Sequence, residues 1–252
     1  VDNSKNAEQI IANAKLQYPS ANDEYEYNVY DTYIEITKYI GSDTDVTIPA
    51  KIDNLPVLVV GESAFTSQYY IDHKKVTSVT SVTIPDSVVT IEKFAFSDCS
   101  DLTKIVIGNG VKKIRDSAFS SCSSLTSVII PDSVVTIGEN AFKYCKSLKN
   151  VTIGNSVTMI GYRAFEACSG LTSIIIPDNV KFVDAGAFYT CINLKDVYIY
   201  STNCAFNENH SDYTSIGKVD AFESTATLYG YAGSTTAEYC AEKGNTFKLI
   251  KE

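Results

Sequence analysis

The dipeptide Ala-Phe returns at a nearly constant step along this chain, and that step decides what the chain can fold into. Seven such pairs keep the step: Ala64-Phe65, Ala95-Phe96, Ala118-Phe119, Ala141-Phe142, Ala164-Phe165, Ala187-Phe188 and Ala221-Phe222. From Phe96 to Phe188 the phenylalanines of successive pairs lie 23 residues apart. The first gap is 31 residues and the last is 34, one repeat plus eight and one repeat plus eleven. A period of this length marks a stacked array, in which each unit buries its apolar face only against its neighbours.

One unit, Leu125 to Leu148, shows how the period is built. Leu125, Val128 and Ile130 open it, ending in the apolar alternation of a short strand. Pro131-Asp132-Ser133 then turns the chain. Val134 and Ile137 form a second inward segment, and Gly138 permits the next turn. Ala141, Phe142, Cys145 and Leu148 fall at helical spacing, which predicts one or two helical turns packed inward. The turn after the first strand alternates along the chain: Pro85-Asp86, Gly108-Asn109, Pro131-Asp132, Gly154-Asn155, Pro177-Asp178. This alternation suggests duplication of a pair of coils.

Of the seven cysteines, Cys99, Cys122, Cys145, Cys168 and Cys191 each follow a repeat phenylalanine by three residues, so they are one position copied five times. Zinc sites need paired ligands such as C-x2-C with histidine support. This chain has no such pair and only His73 and His210. The five are therefore expected as small buried residues in a stacked column, reduced and poorly reactive. Whether Cys204 and Cys240 pair is left open.

The remaining segments read as ends and insertions. Residues 1–45 form an N-terminal cap, 46–230 the solenoid and 231–252 a C-terminal cap. Lys5 to Gln17 predicts a helix stopped before Pro19, followed by a hairpin of Tyr25–Tyr30 and Tyr33–Tyr39. The hairpin tyrosines fit either a sugar-stacking platform or, as preferred here, flanks of a cap with hydroxyls in water. Thr235 to about Lys243 predicts a closing helix, with Thr235 and Glu238 at capping-box spacing and Gly244 as its stop. The two insertions carry both histidines together with Tyr69, Tyr70, Cys204, Phe206 and Tyr213. They are either tolerated surface loops or binding loops.

A formal charge of −9 argues against nucleic acid as the main partner. No apolar run approaches the ~18 residues of a membrane span. The chain opens on Val1 without methionine, which suits either a mature product or a trimmed chain, so any export signal would already be gone and localisation is not read from one. No H-E-x-x-H, G-x-S-x-G, phosphate-loop or dinucleotide motif occurs, so neither catalytic residues nor a metal or cofactor site is assigned.

The units resemble the BspA-like leucine-rich repeats of bacterial surface proteins, whose pattern runs L-x-x-[IVL]-x-[IL]-P and then V-x-x-I-G-x-x-A-F-x-x-C. Five or six copies here are similar, over residues 46 to 230. The resemblance implies a right-handed curved solenoid with a parallel sheet on one face and short helical turns on the other. It departs from commoner leucine-rich repeats in lacking the buried asparagine, so an asparagine ladder should be absent and the V-x-x-I segment should do part of its work. It further implies a non-catalytic, extracellular or surface-attached adhesion module engaging a host or matrix protein or a glycan. The alternatives are a structural spacer or, as a third reading, a hydrolase using an insertion loop. A monomer is expected. Strand alternation turns one row outward: Thr83, Val106, Ile129, Thr152, Ile175 and Tyr198. A second outward row is Ser81, Lys104, Ser127, Asn150, Ser173 and Asp196. The candidate contact surface is the first row edged by Lys104 and Asp196.

Overall fold

The computed structural model describes residues 3–66, 78–207, 220–222 and 225–250. Helix α1 (Asn3–Asn13) leads into strands β1 (Leu16–Ala21), β2 (Tyr25–Tyr30) and β3 (Ile34–Tyr39). The opening coil holds β4 (Asp45–Thr47), β5 (Lys51–Ile52) and β6 (Leu55–Val60). Each later coil supplies a first strand and a shorter second one. These are β7 (Ser81–Thr83) with β8 (Thr90–Ile91), and β9 (Lys104–Val106) with β10 (Lys113–Ile114). Next come β11 (Ser127–Ile130) with β12 (Thr136–Ile137), and β13 (Asn150–Ile153) with β14 (Met159–Ile160). Then follow β15 (Ser173–Ile176) with β16 (Phe182–Val183), and β17 (Asp196–Ile199) with β18 (Ala205–Phe206). Strand β19 (Thr227–Gly230), helix α2 (Thr235–Lys243) and strand β20 (Thr246–Leu249) close the array.

The result is a parallel-strand solenoid of about 8 turns with little helix. First strands pair in two blocks, β4-β7-β9-β11-β13 and β15-β17-β19-β20. Second strands form a continuous sheet of their own, β6-β8-β10-β12-β14-β16-β18, which the cap hairpin β1-β2-β3 extends. The V-x-x-I segments thus supply a second hydrogen-bonded wall where an asparagine ladder would otherwise satisfy the backbone.

The third wall corrects the sequence reading. The A-F-x-x-C segments are not helices. Alternate backbone N–H groups donate to the next coil instead of to their own: Ser117 to Glu139 O at 2.7 Å, Phe119 to Ala141 O at 2.8 Å and Ser121 to Lys143 O at 2.7 Å. This outward aim needs left-handed backbone twice per coil. Ser117 and Ser121 have φ of 56° and 61°, and Asn140 and Tyr144 have 54° and 61°. Helical spacing placed the right side chains inside while the backbone bonds went elsewhere.

Inside lies one continuous core. The phenylalanine rings stack at 5.1 Å for Phe96–Phe119 and Phe119–Phe142, 5.2 Å for Phe142–Phe165 and 5.3 Å for Phe165–Phe188. The stack survives both long gaps, with Phe65–Phe96 at 4.8 Å and Phe188–Phe222 at 5.2 Å. Tyr39 extends it into the cap, 5.3 Å from Phe65.

The cysteine column is buried, and all seven thiols are free, Cys204 and Cys240 included. Each column thiol donates to the phenylalanine carbonyl of the preceding coil, as Cys122 Sγ does to Phe96 O and Cys145 Sγ to Phe119 O, both at 3.2 Å. The position therefore wants a small side chain that can also donate a weak hydrogen bond. Burial pushes the Cys122 and Cys168 thiols well above their usual range, Cys204 up to about 12 and Cys240 up to about 11. Two consequences are expected. Native protein should react with a thiol reagent far more slowly than unfolded protein, which exposes all seven; rapid native labelling of Cys122 or Cys145 would contradict this packing. Because the raised pKa values favour the neutral thiol in the fold, their contribution is complete below the unfolded value of 9.0 and is lost as pH climbs past it. A melting temperature that holds up to that pH and then declines, less steeply in Cys204→Ala, would show it.

The ends differ from expectation in three respects. Helix α1 stops at Asn13, and Leu16–Ala21 is the edge strand β1, where Pro19 is tolerated. The cap tyrosines do not hold their hydroxyls in water. Tyr25, Tyr27, Tyr33 and Tyr39 are all buried, and the Tyr39 hydroxyl donates to Asp43 O and accepts from Asp43 N, both at 3.0 Å. At the other end the cap residue of α2 is Ser234, with no side-chain cap bond. The Thr235 hydroxyl donates instead to Cys204 O at 2.7 Å, so the capping box is absent. Gly244 stops the helix at φ 78°, as its position suggested.

Candidate functional site

Parallel register sets the outward rows side by side. Thr83 pairs with Val106, Ile129 with Thr152, and Ile175 with Tyr198. Their neighbours Val82, Val128, Ile174 and Val197 point into the core, so each row member faces out by alternation. Ile129 is 68% exposed, Ile175 53% and Val106 42%. Thr152 and Lys104 are exposed, whereas Thr83, Asp196 and Tyr198 are half-buried. The row crosses a seam, since β13 and β15 lie in different hydrogen-bonded blocks. Thr152 and Ile175 stand on its two sides.

Sequence reasoning missed the end of this row. Register carries it from Tyr198 to Tyr229 and Lys248. The Tyr198 and Tyr229 rings stack at 4.4 Å, and Lys248 Nζ sits 5.5 Å from the Tyr229 ring centre. The Tyr229 hydroxyl donates to Asp196 Oδ1 at 3.0 Å, and that bond raises its pKa. Asp196 is therefore a brace for the tyrosine pair more than a free rim charge. The apolar alternation of Thr227-Leu228-Tyr229 carried the signal, but the eleven extra residues before it hid the register.

The turn wall holds a second feature, a polar groove of about 380 Å³ lined by Ser117, Ser120, Ser121, Asn140, Tyr144 and Tyr162 among others. Two further lining residues, Lys143 and Arg163, bring Nζ and Nε to Glu166 Oε2 at 3.0 and 3.3 Å. Glu166 is buried, so its carboxylate holds the Lys143 and Arg163 side chains in place. Among the described residues no three His, Cys, Asp or Glu side chains could hold a metal ion. His73, His210, Tyr69, Tyr70 and Tyr213 lie outside the described residues, while of the other insertion residues Cys204 is buried and Phe206 packs against Phe222 and Tyr239.

The sequence matches the family described as BspA type leucine-rich repeat region (6 copies), over residues 72–195 and 112–233. These overlapping matches take in more than half of the chain. The chain belongs to the BspA-type leucine-rich repeat family. No curated protein matches the sequence significantly. Among solved structures this BspA-type chain is similar to a leucine-rich repeat protein of T. pallidum, at 27% identity and TM-score 0.67, covering 92% of this chain and 98% of that one. It shares its fold with a leucine-rich repeat protein of Bacteroides ovatus at 21% identity and TM-score 0.52, covering 92% of this chain and 77% of the other. The fold is shared also with the pneumococcal vaccine antigen PcpA at 16% identity and TM-score 0.51, covering 94% and 100%. BspA-type repeats generally serve as protein-interaction or surface modules. Among the described residues no helix is long and apolar enough to cross a membrane.

Proposed function

We propose that the chain is a non-catalytic binding module of the cell exterior, engaging a host or matrix protein or a glycan through the outer face of the first-strand sheet. The observation that supports this most is the exposed apolar row. Ile129 and Ile175 stand more than half exposed on a regular strand wall, with Val106 on one side and the Tyr198–Tyr229 stack on the other. Strand propensity alone favours β-branched residues, but it does not add a braced aromatic pair or leave isoleucines uncovered. A rigid parallel wall also fixes the spacing of these groups, so little conformational entropy is lost on binding.

Probing the purified chain against a glycan and extracellular-matrix protein array identifies the ligand. The variant Ile129→Ser/Ile175→Ser/Tyr198→Ser should then lose that binding. Its melting temperature should fall by only a few degrees, because the isoleucines are exposed and the lost ring pair contributes about 0.5–1.5 kcal/mol. Full binding by the triple variant would move the site to the insertions or the groove. An array without any hit would favour a spacer.

A further inference from the structure

The second-strand sheet has an outer face of its own, and the described residues cover only its first part. Two rows run along that face. One is Val89, Lys112, Val135, Thr158 and Lys181, successive members of which are joined by backbone bonds of 2.8–2.9 Å. The other is Thr90, Lys113, Thr136, Met159 and Phe182, set by parallel register. Helix α1 lies across their beginning. Its Ala7, Ile10 and Ile11, with Ala14 just past its end, pack on Tyr33, Leu58, Val59 and Val89, and Glu8 Oε1 pairs with Lys113 Nζ at 2.8 Å. Lys15, just past its C-terminal end, bonds Asp31 beside β3, so the helix runs across the strands from β3 toward β10. Eleven residues at ~1.5 Å each match three to four strand spacings of ~4.8 Å.

Beyond α1 the same face continues with no cover among the described residues. Val135 is 40% exposed, Met159 38% and Phe182 47%. The ten positions of the two rows include Lys112, Lys113 and Lys181 and no acidic residue, on a chain of net charge −9. The strip is apolar along its middle and cationic at its flanks, and α1 already shows what such a surface accepts: an apolar helical stripe with a carboxylate set on a lysine.

We propose that the strip Val135–Met159–Phe182, flanked by Lys112 and Lys181, docks an acidic amphipathic helix of a partner protein, placed end to end with α1. The three strands it spans offer room for about three helical turns. An anionic membrane is the poorer occupant, because the strip is narrow and the whole chain repels a negative surface. A second copy is also poorer: its own α1 already buries its apolar stripe and has Glu8 engaged.

Met159 is the only methionine, so a methyl-labelled sample gives one NMR signal placed inside the strip. The probes are two synthetic helical peptides of about 14 residues with the same isoleucine stripe, one flanked by glutamate and one by lysine. The glutamate peptide should shift the Met159 signal and bind at least about tenfold more tightly than the lysine peptide. Phe182→Ser should weaken it about tenfold with an unchanged melt, and Lys112→Glu/Lys181→Glu should reverse the preference between peptides. Equal binding of both peptides, binding of neither, or binding that survives Phe182→Ser would overturn the proposal. So would Phe182-dependent binding to phosphatidylglycerol vesicles, or a Phe182-dependent dimer in sedimentation, in place of peptide binding. None of these readouts depends on Ile129, Ile175 or Tyr198, so this site and the first-strand face stand or fall separately.

Discussion

Replacing Phe142 with alanine should lower stability by ~3–5 kcal/mol and the melting temperature by roughly 6–20 °C. The ring is fully buried and lies between Phe119 at 5.1 Å and Phe165 at 5.2 Å, nearly parallel to both. Its loss opens a void between two coils on either side, and those coils cannot close it. Their separation is fixed by strand ladders on two walls and by turn bonds such as Phe142 N to Ala164 O at 2.7 Å on the third. In an array held by nearest-neighbour contacts, a void at the centre also weakens the coupling between the two halves. Urea unfolding of Phe142→Ala should therefore broaden or split as well as shift. Phe222 ends the column on Phe188 at 5.2 Å and meets Phe206 and Tyr239 edge-on, so the C-terminal cap also holds that end. A Phe142→Ala melt equal to the parent would mean that the ring column does not hold the coils together.

How far the sequence could be read follows from which interactions are periodic in the side chains. Every repeat position carries its own apolar signature, so Phe142, Cys145, Leu125 and Val128 were placed inside correctly. The second-strand sheet was only partly visible. Two-residue strands such as Met159–Ile160 show one inward residue each, too little for alternation to register. The turn wall misled because Ala141, Phe142 and Cys145 satisfy helical spacing, while Asn140 and Tyr144 adopt left-handed backbone that nothing in their side chains demands. The cap tyrosines misled through their hydroxyls: Tyr25 and Tyr27 find partners in the opening coil, at Thr47 O and Asp53 Oδ2, and Tyr39 finds one at Asp43 O, so burial costs them little. Of the candidate surface, strand alternation gave the row from Thr83 to Tyr198. It could not give Tyr229 or Lys248, which join only through register after an insertion. The uncovered strip on the second sheet was invisible for a similar reason, since Val135, Met159 and Phe182 line up only when the coils are stacked.

The alternation of Pro-Asp and Gly-Asn turns, conspicuous in the sequence, yields the second large effect. Asp132 Oδ1 accepts the backbone N–H of Asn155 in the next coil at 2.7 Å, and Asp86 does the same for Asn109. Gly154 sits where this bond draws the two turns together. A Cβ there would lie 2.4 Å from Pro131 O and 2.5 Å from Pro131 C. Both are backbone atoms, and Pro131 O is already held by Val134 N at 3.0 Å, so no side chain can yield. Gly154→Ala must push the turns apart and stretch the Asp132 bond, at a cost of ~1–3 kcal/mol, or roughly 2–12 °C in the melt. Ser156→Ala, an exposed change in the same turn, should leave the melt in place. An unshifted Gly154→Ala would show that the alternating turns are ornament and not a contact between paired coils. Gly154→Ala and Phe142→Ala act on the same coil boundary, one by overfilling it and the other by emptying it. The double variant should therefore lose less than the sum of the two, because a boundary already uncoupled by one change has less left to lose to the other.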